Sequence, residues 1–327
     1  MRLFIRYFIF RYYIKMEDSK TIYDIIEYAG IPTNLWINDA IQEIPFGQDN
    51  TGYIMNPKIG RKIWNIVGDK VSSNEKCCPS NITGEKYITF RLDGKTFSGV
   101  TKRLKKLGVF SKGYSTEFAT IMITVTKKLC DSFPRIIYAF TQSDEITLVM
   151  KCTTVIDGKY EPHVHDGRRD KLLTLAAGLA SQCFDREVVK LIVSKGLPLD
   201  TINILPDMFF DCRMAQYDTL KDAFELVLWR AYDCSVNGVS SAVYMCGLDE
   251  CKKISRTPTD TKLLYLYQNK MLPLDSHQAY GTLFHNKKEP TEVLNQMTKE
   301  IEIKEKWHIT QINGPVIINV KNGLIIL

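Results

Sequence analysis

Residues 135–151, RIIYAFTQSDEITLVMK, decide the fold. Two runs rich in β-branched and aromatic residues, Arg135–Thr141 and Ile146–Lys151, flank the short polar stretch Gln142-Ser143-Asp144-Glu145. That pattern predicts an antiparallel hairpin with an acidic tip. Upstream, Lys86–Leu92 (KYITFRL) alternates as a strand does and stops at Asp93-Gly94. Between strand and hairpin, Phe118, Ile121, Met122, Val125 and Leu129 recur at helical spacing, with Ser115 or Thr116 as cap and Pro134 as terminator. Downstream, Arg168–Phe184 reads as a second helix with Leu172, Leu175, Ala176, Leu179 and Cys183 on one side, and Phe209–Tyr217 as another strand. Strand, helix, strand, strand, helix, strand is the order of a ferredoxin-like split βαβ sheet. A further helix over Asp218–Val236 carries Trp229. The fold class expected is α+β: a ferredoxin-like antiparallel sheet with helices, plus N- and C-terminal extensions.

Composition is compatible with that reading. The chain has 327 residues, 45% hydrophobic and 24% charged, which excludes wholesale disorder, collagen and coiled coil. A net charge of +6 permits a nucleic-acid partner without demanding one. The nine cysteines include no CxxC pair, so reduced thiols and a cytoplasmic location are expected. Cys246 and Cys251 have no partnering ligand pair for structural zinc, and His163-Val164-His165-Asp166 reads as polar loop.

The flanks are less regular. In MRLFIRYFIFRYYIKM, Arg2, Arg6, Arg11 and Lys15 interrupt every apolar run, so no membrane is expected, and Met16 is a plausible start of translation. Residues 1–80 are read as an extension of unknown role, with a short helix around Asp24–Tyr28 and a linker over 72–85. Residues 81–245 form the catalytic domain and 246–285 a further segment. In 286–327, a charged helix (286–303) precedes a small β meander turning at Asn313-Gly314 and Asn322-Gly323.

Asp93 ends the first strand and Asp144 tips the hairpin beside it, an arrangement that lets both carboxylates converge. Paired carboxylates with a backbone carbonyl suit Mg²⁺, and two such ions about 4 Å apart can activate a hydroxyl and stabilise a leaving pyrophosphate. The same residues also fit a plain turn and a solvated hairpin tip, and the pattern alone leaves both open. The basic stretch Lys102–Lys112 fits RNA phosphates or a solvated face.

Six segments occur together in order: RLDGKTF (91–97), FSK (110–112), YAFTQSDEITLV (138–149), RRDKLLTL (168–175), FFDCR (209–213) and WRAYDCSVN (229–237). They resemble the tRNA-His guanylyltransferase family, whose members add nucleotides to tRNA 5′ ends in the 3′-to-5′ direction. A weaker similarity follows over 261–282. The resemblance implies catalytic roles for Asp93, Asp144 and Glu145. It implies a metal shell of Asp93, the Gly94 carbonyl and Asp144, holding Mg²⁺, with two ions expected. It implies nucleotide contacts by Lys112, Arg91, Ser143, Arg168 and Lys171, and tRNA contacts by Asn237 and Arg230. GTP and ATP would be substrates, tRNA the partner, and a homotetramer the assembly. Two departures stand out. The family's His-Ile-Asn-Asn stretch after Asp-Cys is here Ser235-Val236-Asn237-Gly238, and the serine of its basic helix motif is Asp170. Templated repair of truncated tRNA 5′ ends is therefore an alternative activity, and an RNA-binding protein without catalysis a second.

Overall fold

Strand β1 (Tyr87–Gly94) sets the layers of the molecule. Ile88, Phe90 and Leu92 point to one face of the sheet, and Thr89, Arg91 and Asp93 to the other. A computed structural model describes residues 57–327 except 134, 154, 157–158, 161–163, 246–250, 273, 295–298, 314–318, 322–323 and 327. The expectations for Met16, for Arg2–Lys15, for Asp24–Tyr28, for His163 and for Cys246 lie outside the described residues.

The remaining elements, in chain order, build around β1. Helix α1 is Pro57–Lys76, α2 is Phe97–Lys106 and α3 is Thr116–Ser132. The hairpin is β2 (Ile136–Gln142) and β3 (Glu145–Lys151), followed by the two short strands β4 (Val155–Ile156) and β5 (Lys159–Tyr160). Then come α4 (Arg169–Ser194), β6 (Phe210–Tyr217), α5 (Leu220–Met245), α6 (Cys251–Ile254), α7 (Thr259–Gln268) and α8 (Ser276–Tyr280). Strands β7 (Thr282–Leu294) and β8 (Ile301–Ile312) follow, then a two-stranded β9 (Asn319–Lys321) and β10 (Leu324–Ile326). The main sheet runs β6-β1-β3-β2-β7-β8, all antiparallel. Its first four strands are the ferredoxin-like order expected from the sequence.

One core lies between the sheet and helices α3 and α4, with Phe90, Leu148, Met122, Leu129 and Phe184 buried together. A second lies on the opposite face, where Val67 and Val71 of α1 and Phe224 and Leu228 of α5 pack on Tyr138 and Val149. Each such fully buried side chain contributes roughly 1.5–3 kcal/mol. In α4 the buried row is Leu172, Ala176, Ala180, Phe184, Val188 and Ile192, while Leu175 stays exposed.

Two expectations are corrected. Residues 72–76 are not linker: they are the last turn of α1, held against α5 by Lys70, whose Nζ reaches Asp222 (3.0 Å) and Glu225 (2.9 Å). Residues 286–303 are not helical: β7 and β8 form a long hairpin in register from Leu283↔Ile312 to Leu294↔Ile301. Pro290 is hostile to a helix interior, and Ile301-Glu302-Ile303 alternates with period two. Beyond His285, β7 pairs with β8 alone, so the missing Pro290 N–H is tolerated.

Candidate active site

The β2–β3 turn has only two residues, Ser143 and Asp144, which forces Ser143 into the left-handed region (φ 47°). Thr96, just past β1, is there too (φ 57°). A non-glycine in that region stores on the order of 1 kcal/mol, and such residues gather at functional sites. The two strained positions flank the carboxylates. Gly94 N–H donates to the Asp144 carbonyl at 3.0 Å, which ties the end of β1 to the hairpin tip. A Cβ on Gly94 would lie 2.5 Å from the Phe97 ring, so only glycine fits beneath that aromatic cluster.

Cross-strand register brings further acids alongside. Asp93 sits opposite Glu145 on β3 and opposite Asp211 on β6. Like charges facing one another across a sheet are destabilising, so the row Asp211, Asp93, Glu145 is retained against a stability cost. Asp144 is half-buried, and burial pushes its carboxyl above the ordinary range. Asp93 pushes the same way, while Ser143, whose Oγ donates to Asp144 Oδ1 at 2.9 Å, pulls it back.

Glu145 is a different kind of acid. Its carboxylate is paired with Arg230 and accepts from Gln142 Nε2 at 2.7 Å. Burial raises its carboxyl against the downward pull of Arg230. Arg230 is itself buried, with only 7% of its side chain exposed, and also bonds Asp233 at 2.9 Å. It lies over the Trp229 ring at 4.8 Å from the centroid, with Arg91 against the same ring at 5.8 Å. Arg91 makes a two-pronged pair with Glu75 at 2.8 and 2.7 Å. A chain of paired charges thus runs from α1 through Trp229 to Glu145 and braces the carboxylate row from behind.

The other residues named from the sequence are distributed more widely. Arg230 is inside the protein and not at a surface open to tRNA. Arg91 is committed to Glu75 and not free for a nucleotide. Glu145 is paired with Arg230. Arg168 and Lys171 stand at the first turn of α4, on the face of the sheet away from Asp93. Ser181 of α4 accepts from Phe210 N–H, level with Gly94, and Lys171 lies about 15 Å back along the axis. Arg168 faces Asp166 (3.8 Å), and Arg169 donates to the Cys78 carbonyl (2.7 Å). Within one chain that pair does not join the carboxylates.

Lys112 is exposed and belongs to the loop between α2 and α3, at the same end of the sheet as Asp93. Glu117 pins this loop: it receives Lys195 Nζ (2.7 Å), Ser115 Oγ (2.8 Å) and Ser111 Oγ. Asn237 is exposed on α5, donating to Asp233 Oδ2 at 2.8 Å.

Sequence reasoning missed Asp211, Asp233 and Gln142 as members of this cluster. Asp211 and Gln142 stood inside the FFDCR and QSDE segments, so the signal was present. No pattern could couple Asp233 to Glu145 without the tertiary fold.

The departure at Gly238 has a packing cause. A Cβ there would lie 2.2 Å from the Gln278 carbonyl, because α8 crosses α5 at that point. Ser235 is buried, its hydroxyl donating to the Tyr232 carbonyl at 2.7 Å. Gly238→Ala should lower stability by about 1–3 kcal/mol in thermal melts, although alanine is the better helix former. An unchanged or raised melting temperature would contradict the close crossing.

Two half-buried carboxylates at the ends of strands tied together by the Gly94–Asp144 hydrogen bond carry more negative charge than their side-chain partners offset, which fits a divalent cation. Among the described residues no three His, Cys, Asp or Glu side chains form a metal-holding group. The shell that the family resemblance implies, Asp93, Asp144 and the Gly94 carbonyl, would leave positions for water and phosphate, as suits Mg²⁺. Cys77, Cys78, Cys130, Cys152, Cys183, Cys212 and Cys234 are free thiols, and no described helix is long and apolar enough to cross a membrane.

Comparison with known proteins agrees with this geometry. Residues 68–218 match the family model described as tRNAHis guanylyltransferase. An uncharacterized protein of Acanthamoeba polyphaga mimivirus is 28% identical over 203 residues, 58% of this chain and 66% of that protein. The tRNA(His) guanylyltransferase of Saccharomyces cerevisiae is 27% identical over 190 residues, 55% of this chain and 73% of the enzyme. That of Debaryomyces hansenii is 26% identical over 160 residues, 48% of this chain and 53% of the enzyme. The match thus spans between about half and three quarters of these relatives. A bacterial tRNA(His) guanylyltransferase-like protein in complex with ATP shares the fold: TM-score 0.51, 17% identity, covering 73% of this chain and 91% of that one. Residues 68–218, which hold the carboxylate row together with Glu75 and Arg91, are similar to the tRNAHis guanylyltransferase family, while Arg230 and Asp233 lie beyond the matched segment.

Proposed function

We propose that the protein is a metal-dependent 3′-to-5′ nucleotidyltransferase acting on the 5′ end of tRNA. The observation that carries the reading is the Gly94–Asp144 hydrogen bond, which holds two partly desolvated carboxylates at one end of a palm sheet. In this reading a 5′-monophosphate end is activated by ATP with loss of pyrophosphate. The 3′-hydroxyl of GTP then attacks that phosphorus and displaces AMP. Asp93 and Asp144 hold Mg²⁺, which when bound supplies charge for phosphate oxygens and for the attacking hydroxyl. Lys112 on its pinned loop grips a triphosphate, and Ser143 orients Asp144. Glu145, through Arg230, and Arg91, through Glu75, keep the row rigid and so act as positioning residues.

A second reading, templated repair of truncated tRNA 5′ ends, is favoured by Ser235 and Gly238. These replace two side chains of a family segment tied to tRNA use, and α8 fills the space beside Gly238. One assay tests both readings: labelled GTP, ATP and Mg²⁺ with full-length tRNA-His and with 5′-truncated tRNAs. Label on tRNA-His supports guanylylation, and label on truncated tRNAs that follows the opposing base supports repair. Binding without incorporation on any of them refutes enzymatic function.

A further inference from the structure

We propose that the outer edge of β8 is a self-pairing surface through which two copies of this chain join their sheets. The β7–β8 arm lies beyond the family-matched segment, so this inference is independent of the catalytic reading. β2 pairs with β7 only over Thr282–His285, yet β7 and β8 continue in register out to Leu294↔Ile301. Most of the arm is therefore a two-stranded ribbon standing clear of the core, and such a ribbon is marginal in water by itself. β8 is also the last strand of the six-stranded sheet, so its outer backbone groups have no partner strand among the described residues. The arm carries exposed large apolar side chains: Leu294 (50% exposed), Ile301 (67%) and Ile303 (74%). Register places all three on one face, since Leu294 is opposite Ile301, and Ile301 and Ile303 alternate together.

A bare edge with an apolar stripe is what proteins normally blunt, unless it is used. The order of charges identifies the occupant. In Glu300-Ile301-Glu302-Ile303-Lys304-Glu305-Lys306 the acids at 300 and 302 and the lysines at 304 and 306 are arranged symmetrically about Ile303. An antiparallel pair with a two-fold axis at Ile303 sets Glu302 opposite Lys304 of the second copy, and Glu300 opposite its Lys306. Ile303 meets its own symmetry mate, and Ile301, with Leu294 beside it on β7, comes opposite the stem of Glu305 of the second copy. A two-fold interface must be self-complementary, and the charged row of this segment, with Ile303 at its centre, is. The arm's charge is balanced, five lysines against five glutamates from Lys287 to Lys306, which disfavours a nucleic-acid occupant.

The test is the mass of the full chain by sedimentation equilibrium and light scattering across a concentration series. The wild type is expected to associate in even multiples, with Ile303→Glu halving the mass while leaving the circular dichroism melt of the body in place. Glu302→Lys should weaken association roughly tenfold or more, because like charges then face one another twice across the axis. Glu302→Lys combined with Lys304→Glu restores the complementarity and should restore association. A monomeric wild type at high concentration overturns the proposal. So does a mass indifferent to Ile303→Glu, or a double variant no tighter than Glu302→Lys.

Discussion

Asp144→Asn is expected to cut nucleotide addition by at least roughly 10³-fold while raising the melting temperature of the metal-free protein. Asp144 is held where burial and Asp93 both disfavour its charged form. A carboxyl raised in the folded state binds its proton more tightly there than in the unfolded chain. Its stabilising contribution is present below the ordinary carboxylate range and is lost as pH rises through its raised value. At neutral pH the ionised group therefore weakens the fold. The amide removes that charge and keeps an acceptor for Ser143, a gain of about 0.5–2 kcal/mol. The second half of the expectation concerns the metal. Mg²⁺ should raise the melting temperature of the wild type, because a ligand that binds only the folded state stabilises it by mass action. It should leave the variant unmoved. A variant that loses activity and stability together, or one that still responds to Mg²⁺, would remove Asp144 from the metal shell. Calorimetry with and without Mg²⁺, beside the label-incorporation assay, reads all three quantities.

Arg230→Ala is expected to be the most destabilising single change near the site, by about 3–5 kcal/mol. It strands Glu145 in a buried position and deprives Asp233 of its partner. It also removes the guanidinium stacked on Trp229. The penalty should grow as pH rises through the acid range, because Glu145, already raised by burial, loses the cation that pulls it down most. Arg230→Met combined with Glu145→Gln should recover much of the loss, since it removes the stranded charge at Glu145, while Asp233, a third exposed, keeps its hydrogen bond from Asn237. Denaturant melts of the two single variants and the double give the coupling directly. If Arg230→Ala melts like the wild type, the pair is not a brace, and a surface role for Arg230 returns. Activity in the recovered double variant then separates positioning from catalysis: a folded protein with a reduced kcat and an unchanged KM is the mark of a misaligned carboxylate row.

The local code was legible where one physical period dominated. The alternation in 86–92 and the apolar faces of 116–132 and 169–184 marked strand and helices, because burial on one face imposes periods of two and 3.6. Asp93 and Asp144 were legible as a pair because the split βαβ order makes β1 and β3 neighbours. Residues 286–303 misled because their lysines and glutamates also recur at helical spacing. There β7 found a partner in β2, and the sheet extended outward.

The sequence by itself determined the order of elements, the two layers of apolar side chains, and which residues end strands at the acidic tip. All of these depend on neighbours a few positions apart. Only the tertiary structure decided the work of the charged residues. Arg230, Arg91 and Lys171 look alike in a sequence, each a cation within a recognisable segment. Folding buries the first against Glu145, locks the second to Glu75, and leaves the third on the far face of the sheet. The energy of a charge depends on its burial and on the partner within a few ångströms, and both are set by elements distant along the chain.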